Sequence, residues 1–135
     1  MVQLRTAGLL AIQNGKLLLA FSSNKQCFYL PGGKINYGET PQEALIREIA
    51  EELNTTIEKE QLIYYTHISA PAYGETSGTI MEQDCFFSEI DFSPQASGEI
   101  DQLKYFSLSE YLKEGKKAPG AIIILEQLAA EGYID

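Results

Sequence analysis

Residues 29–54 read YLPGGKINYGETPQEALIREIAEELN, and the rest of the chain is organised around them. The stretch is a strand end, a glycine-rich turn over Pro31, Gly32 and Gly33, and one helix. Thr40 followed three residues later by Glu43 is a capping box. Pro41 falls at the first helical position, where its missing N–H costs nothing, so the helix starts at Thr40. At about 100° per residue, Leu45, Ile46, Ile49, Ala50 and Leu53 share one face and belong to the core. Glu48, Glu51 and Glu52 share a wedge roughly 100° wide on the other side, with the small Ala44 beside them. Asn54 is the commonest kind of non-glycine residue at a left-handed helix end.

A solvated glutamate face is the ordinary reading of such a wedge, and it fits poorly here. Glu48 has like-charged neighbours at i+3 and i+4, and each such pair destabilises a bare helix by about 0.2–0.5 kcal/mol. No lysine lies within the helix to offset them, and Arg47 stands on the flank, placed to orient a carboxylate without filling the wedge. Carboxylate oxygens gathered beside a small residue suit a hard divalent cation. Mg²⁺ comes first, because it keeps several waters and shares itself with substrate phosphates.

Gly33, Glu39, Arg47, Glu48, Ile49, Glu51 and Glu52 stand at the spacing of the Nudix box: glycine, five residues, Glu, seven residues, then Arg-Glu-aliphatic-any-Glu-Glu. The stretch resembles a Nudix hydrolase. The box normally closes with any residue, glycine and an aliphatic, whereas this chain has Leu53, Asn54 and Thr55. Both departures follow the metal-binding glutamates, so they concern the helix exit and not the metal site.

The resemblance implies an α/β fold, the α/β/α sandwich of that family with a mixed β-sheet between helices. It implies a pyrophosphohydrolase that cleaves the diphosphate bond of a nucleoside di- or triphosphate or a nucleoside diphosphate derivative, releasing a nucleoside monophosphate or related phosphate product. The metal, Mg²⁺ with Mn²⁺ as a substitute, would be held by Glu48, Glu51, Glu52 and the Gly32 carbonyl. Glu51, Glu52 and Glu99 are the candidates for the base that takes a proton from water. Arg47 orients the carboxylates and Glu39 supports the site from behind. Gly33 and Lys34 are assigned to substrate phosphate, and Tyr73 to stacking on a base or to the rim of the site. The alternative is a Nudix-like module that binds or senses a nucleotide without cleaving it.

Composition is consistent with this. The 135 residues, 44% of them hydrophobic, suffice for one domain spanning 1–135 with a real core. A net charge of −9 argues against a nucleic-acid polymer held on a basic face, and it is compatible with small anionic substrates if metal ions supply positive charge. Cys27 and Cys85 have no metal-ligand spacing and read as buried thiols. With neither a signal peptide nor a long apolar run, the expected place is the cytoplasm, with no membrane partner and a homodimer left open.

In chain order, residues 4–12 read as a buried strand, and Asn14-Gly15 is a two-residue hairpin signal leading into a strand at 17–22. A third strand at 27–30 delivers the glycines. A connector at 55–60 precedes a strand at 61–70 carrying His67, the single histidine, read as a sheet residue rather than a catalyst. Residues 71–78, PAYGETSG, form a loop, and 79–90 the next strand. Glu82, Gln83 and Asp84 interrupt that strand's apolar run, facing either solvent or a pocket. A loop at 92–98 leads to Glu99 and a short strand at 103–106. A capping box at Ser107 and Glu110 opens a helix over 108–113, and 119–131 is the last helix, with Gly132 just past its end.

Overall fold

The computed structural model describes residues 2–88 and 94–135, so the expected strand end at 89–90 and the first residues of the 92–98 loop lie outside the described residues. The elements run β1 (Val2–Leu10), β2 (Ile12–Gln13), β3 (Lys16–Ser22), β4 (Cys27–Tyr29), β5 (Gly32–Lys34), α1 (Pro41–Leu53), β6 (Ile63–Pro71), β7 (Thr79–Phe87), β8 (Ile100–Phe106), α2 (Leu108–Leu112) and α3 (Pro119–Ala130), with a 3₁₀ turn at Lys59–Gln61.

One sheet is mixed, in the order β5-β1-β7-β6. Its central pair, β1 and β7, is parallel from Val2↔Thr79 to Leu10↔Phe87, and its outer pairs are antiparallel. One of its faces packs Ala7, Leu9 and Phe86 against Leu45, Ile49 and Leu53 of α1. The other packs Leu10, Ile68 and Cys85 into a cluster with Ile124, Leu125 and Leu128 of α3. The mixed sheet therefore lies between helices, as the resemblance implies. Leu45, Ile49 and Leu53 are fully buried, and each such side chain contributes roughly 1.5–3 kcal/mol.

The single expected strand at 4–12 is two strands, because the chain leaves the mixed sheet after Leu10 and enters a second, antiparallel one of β2, β3, β4 and β8. Asn14 and Gly15 both have positive φ, 53° and 73°, the two left-handed residues that a tight hairpin between β2 and β3 requires. The expected glycine turn is instead the short strand β5, antiparallel to β1 with Gly8↔Gly32 and Ala7↔Gly33. A Cβ on Gly32, at φ 136°, would lie 2.0 Å from the Ala7 carbonyl oxygen, so only glycine pairs that closely there.

Helix α1 carries the expected capping box at Thr40 and Glu43. Its buried stripe differs from the expected one: Ala44, Leu45, Ile49, Glu52 and Leu53 are buried, while Ala50 is exposed and Ile46 only half-buried. The helix is rolled toward its glutamate side, and the side-chain-free glycines of β5 make room for that roll.

At its far end Asn54 is left-handed, φ 52° and ψ 47°. The carbonyls freed there are taken by the loop before β8: Gln95 N–H donates to Leu53 O at 3.1 Å and Ser97 N–H to Glu52 O at 2.9 Å.

Because the left-handed region costs an ordinary L residue about 1–2 kcal/mol, Asn54→Val should lower unfolding free energy by that amount. Asn54→Gly should be neutral or slightly stabilising. Denaturant unfolding of the two variants beside the parent checks both.

Candidate functional site

The site grows from the seam between β5 and α1. Arg47 reaches over it and holds three groups at once. Its Nε and one terminal nitrogen donate to the two oxygens of Glu39 at 2.9 and 3.0 Å, its other terminal nitrogen donates to Glu48 Oε1 at 2.8 Å, and it also donates to the Lys34 carbonyl at 3.0 Å. That fork, with the Asn36 N–H on Glu39 at 2.8 Å, holds the Glu39 carboxyl down to about 2. Glu51 lies 3.9 Å from the same guanidinium and is largely exposed. Glu43, one turn earlier, is taken by the Thr40 N–H instead.

Glu52 is 3% exposed and accepts one hydrogen bond, from the Gly32 N–H at 2.9 Å. Burial pushes its carboxyl up to about 8 against that hydrogen bond, and the charges of Glu48, Glu99 and Glu51 push the same way. Burial also raises Glu48, even with Arg47 beside it. A Cβ on Gly33 would come 2.5 Å from the Glu48 carboxyl carbon, so the bare backbone of β5 is what cradles that group. Among the described residues no three carboxylate, imidazole or thiolate groups already converge as a metal set. The donor set nevertheless fits a hard cation. Three carboxylates of one sign crowd a backbone cradle, the deepest of them is held largely uncharged near neutrality, and Glu51 is free to turn inward.

Glu99, 51 positions after Glu48 in the chain, is brought to the same place. Its main-chain carbonyl accepts from Ser23 N–H at 2.9 Å, and Asn24 Nδ2 donates to its Oε2 at 2.6 Å. Glu48 and Glu99 both line a cleft with room for about 300 Å³, whose rim near them is made by Gly32, Gly33 and Lys34. Tyr73 lines it too, from the loop between β6 and β7, and Lys25 crosses toward that loop to pair with Glu75 at 3.2 Å. The cleft continues over the α3 side of the mixed sheet, where Thr6 and Gln83 line it together with Leu30, Met81 and Gly120.

The three polar residues in the middle of β7 thus divide. Glu82 and Asp84 face the opposite side of the sheet and bracket His67, each at 2.8 Å, which raises the imidazole above its ordinary value. Gln83 faces the cleft. His67 is away from the cleft, while Cys27 and Cys85 are buried free thiols. Lys25, Asn24 and Thr6 carried no signal in the sequence. Gln83 did, as a polar residue in an apolar strand.

The model of the NUDIX domain family matches residues 2–128, and the chain belongs to that family. It is 28% identical over 109 residues to an ADP-ribose pyrophosphatase of Methanocaldococcus jannaschii, covering 78% of this chain and 62% of that one. It is 40% identical over 58 residues to an RNA pyrophosphohydrolase of Acinetobacter baylyi, covering 43% of this chain and 35% of that one. The chain thus spans about a third and just under two thirds of the lengths of these curated relatives. In fold it is similar to a MutT NUDIX hydrolase of Burkholderia pseudomallei, with a TM-score of 0.76 at 21% identity over 95% of this chain and 99% of that one. The ORF135 protein of E. coli gives a TM-score of 0.72 at 25% identity over 100% and 96%. No described helix is long and apolar enough to cross a membrane.

The raised carboxyl of Glu52 contributes to the pH response of the metal-free protein. Its folded value of about 8 lies above its unfolded value of 4.5. The stability it contributes is therefore complete below pH 4.5 and is lost as pH rises toward about 8. Glu52→Gln keeps the oxygen that accepts from Gly32 and removes the titration. In chelator, the variant's melting temperature should gain on the parent's across that pH window. A constant difference between the two would show that Glu52 is not the titrating group.

Proposed function

We propose that the chain hydrolyses the diphosphate linkage of a nucleoside diphosphate derivative with the help of a divalent cation, Mg²⁺ or in its place Mn²⁺. One observation carries this reading: a buried carboxyl, Glu52, is held by the Gly32 N–H beneath a cleft that Gly32, Gly33, Glu48 and Glu99 line, so that three carboxyl groups gather about a bare backbone. Glu48, Glu51, Glu52 and the Gly32 carbonyl would hold the cation. Once bound, it would neutralise diphosphate charge and lower the pKa of an attacking water.

The remaining roles fall to the chain's own groups. Arg47, fixed from behind by Glu39, keeps Glu48 turned to one side of the helix and keeps the like charges apart. Gly33 lets phosphate approach the backbone, and Lys34 at the rim offers a cation to it. Of the three candidate bases, Glu52 is already engaged by Gly32, and Glu51 points to solvent. Glu99 lines the cleft with one oxygen steadied by Asn24 and the other without a hydrogen-bond partner among the described residues. We assign the proton to Glu99. The relatives' names, an ADP-ribose pyrophosphatase and an RNA pyrophosphohydrolase, support a diphosphate as the bond cleaved. We also read residues 1–135 as one domain, with small nucleotides rather than polymers as partners.

A screen of nucleotides, dinucleotides and nucleoside diphosphate sugars with Mg²⁺, read by product mass, tests the activity. Glu52→Gln should lower kcat by about a hundredfold or more, because it removes a ligand from a site supplying several kcal/mol. Full turnover by this variant would overturn the metal assignment. Glu99→Gln should depress kcat more than it raises KM, the mark of a group that acts in the transition state. An unchanged kcat would move the base to the helix.

A further inference from the structure

The turn between β3 and β4, residues 23–26, touches two loops that line the cleft. On one side it meets the loop that ends at Glu99. The β3–β8 register pairs Phe21 with Gln102 and Ser22 with Ile100, so Asp101 is an extra residue on β8 and the ladder bulges there. Beyond the bulge the pairing continues past the strand end: Ser23 N–H and Ser23 Oγ both donate to the Glu99 carbonyl at 2.9 Å. Asn24 Nδ2 then donates to Glu99 Oε2 at 2.6 Å. Consecutive residues of the turn thus hold the main chain and the carboxyl of Glu99.

On the other side Lys25 Nζ pairs with Glu75 at 3.2 Å and lies 5.6 Å from the centre of the Tyr29 ring. Its stem packs against the loop between β6 and β7, where a Cβ on Gly74 would come 3.2 Å from Lys25 Cδ. The turn is also closed on itself. Gln26 takes φ 53°, its N–H donates to the Ser22 carbonyl at 2.8 Å and its side-chain amide to the Ser23 carbonyl at 2.7 Å, while Ser22 Oγ accepts from Lys25 N–H at 3.2 Å. Asn24 is therefore carried on a braced backbone, whereas the carboxyl that it holds is exposed and ends a long side chain. An unheld glutamate of that kind spreads over several rotamers, and a proton acceptor must stay within about 0.5 Å of its working position.

Resting on the assignment of the proton to Glu99, we propose that Asn24 is a positioning residue for the reaction: it fixes one carboxyl oxygen of Glu99 and leaves the other for the attacking water.

The contact is read first without turnover. In the metal-free protein, the NMR signals of the Asn24 side-chain amide should shift in Glu99→Ala, and unmoved signals would overturn the proposal. Kinetics with Mg²⁺ on the best substrate of the nucleotide screen then reads the role. Asn24→Ala should lower kcat about tenfold and change KM by less than about twofold, a loss of the size expected of one hydrogen bond to a charged group. Its melting temperature should stay near the parent's, since Asn24 is exposed. Asn24→Asp, with the same shape, no donor and a like charge, should lose at least as much kcat, and Asn24→Gln, which keeps an amide, should regain part of it. In a Glu99→Ala background Asn24→Ala should change kcat by less than about twofold, because there is no carboxyl to place. Full kcat in Asn24→Asp, or a loss that persists undiminished without the Glu99 carboxyl, would overturn the proposal. Failure of the underlying reading looks different: an unchanged kcat in Glu99→Ala removes the base assignment and the positioning role with it, whereas a low kcat in Glu99→Ala beside a full kcat in Asn24→Ala removes the positioning role alone.

Discussion

The hydrogen bond from the Gly32 N–H to Glu52 is the contact on which the site's arrangement rests. A carboxylate 3% exposed in the flank of a core helix is costly to keep, and a single backbone N–H does not compensate it. The fold accommodates it by removing side chains from the facing strand. Gly32 passes under the Ala7 carbonyl with no room for a Cβ, and Gly33 leaves the space that Glu48 occupies. Those two glycines let α1 roll onto β5, and that roll decides which glutamate is buried, which half-buried and which exposed. One helix thereby presents three chemically different carboxyls drawn from one repeated residue type.

Arg47 is the counterpart of that seam. It reaches the wedge but spends most of its donors on Glu39 and on the Lys34 carbonyl, outside the wedge, giving Glu48 only one bond. The helix carboxylates are therefore left with net negative charge. A phosphate group bridged by cations matches this charge. The overall charge of −9 has no bearing on that match, because the local arrangement of groups decides it.

Much of this was legible in residues 29–54. The capping box, the start at Pro41 and the left-handed Asn54 follow from side chains that act on their own neighbours, and local chemistry of that kind survives any tertiary context. The rotation of α1 was not legible. Ala50 and Glu52 exchanged the places that periodicity gave them, because the facing strand lacks side chains, a property of β5 rather than of the helix. The second sheet was hidden for a similar reason: residues 4–12 are apolar throughout, and nothing in that run marks the point after Leu10 where the chain changes partners. Gln83 could be flagged but not aimed, since strand alternation gives two faces and only the packed helices say which of them is the cleft. Thr6 is a polar β-branched residue in a strand, and nothing separates it from any other until its neighbours are in place.

The loop that carries Glu99 to the cleft is tied down by its main chain. Gln95 and Ser97 give their N–H groups to the last carbonyls of α1, and the Glu99 carbonyl accepts from Ser23. Apart from the Gln95 side-chain oxygen, which accepts from Asn54 at 3.4 Å, the ties at 95 and 97 are made by main chain, so substitutions there should be tolerated as long as neither position becomes proline. A change in loop length is a different matter. One residue inserted between the end of α1's partners and Glu99 would shift the spacing of those N–H groups against fixed carbonyls and uncouple the acidic side chain from the helix. In this chain, then, the evolutionary constraint on the loop falls on its length more than on its letters.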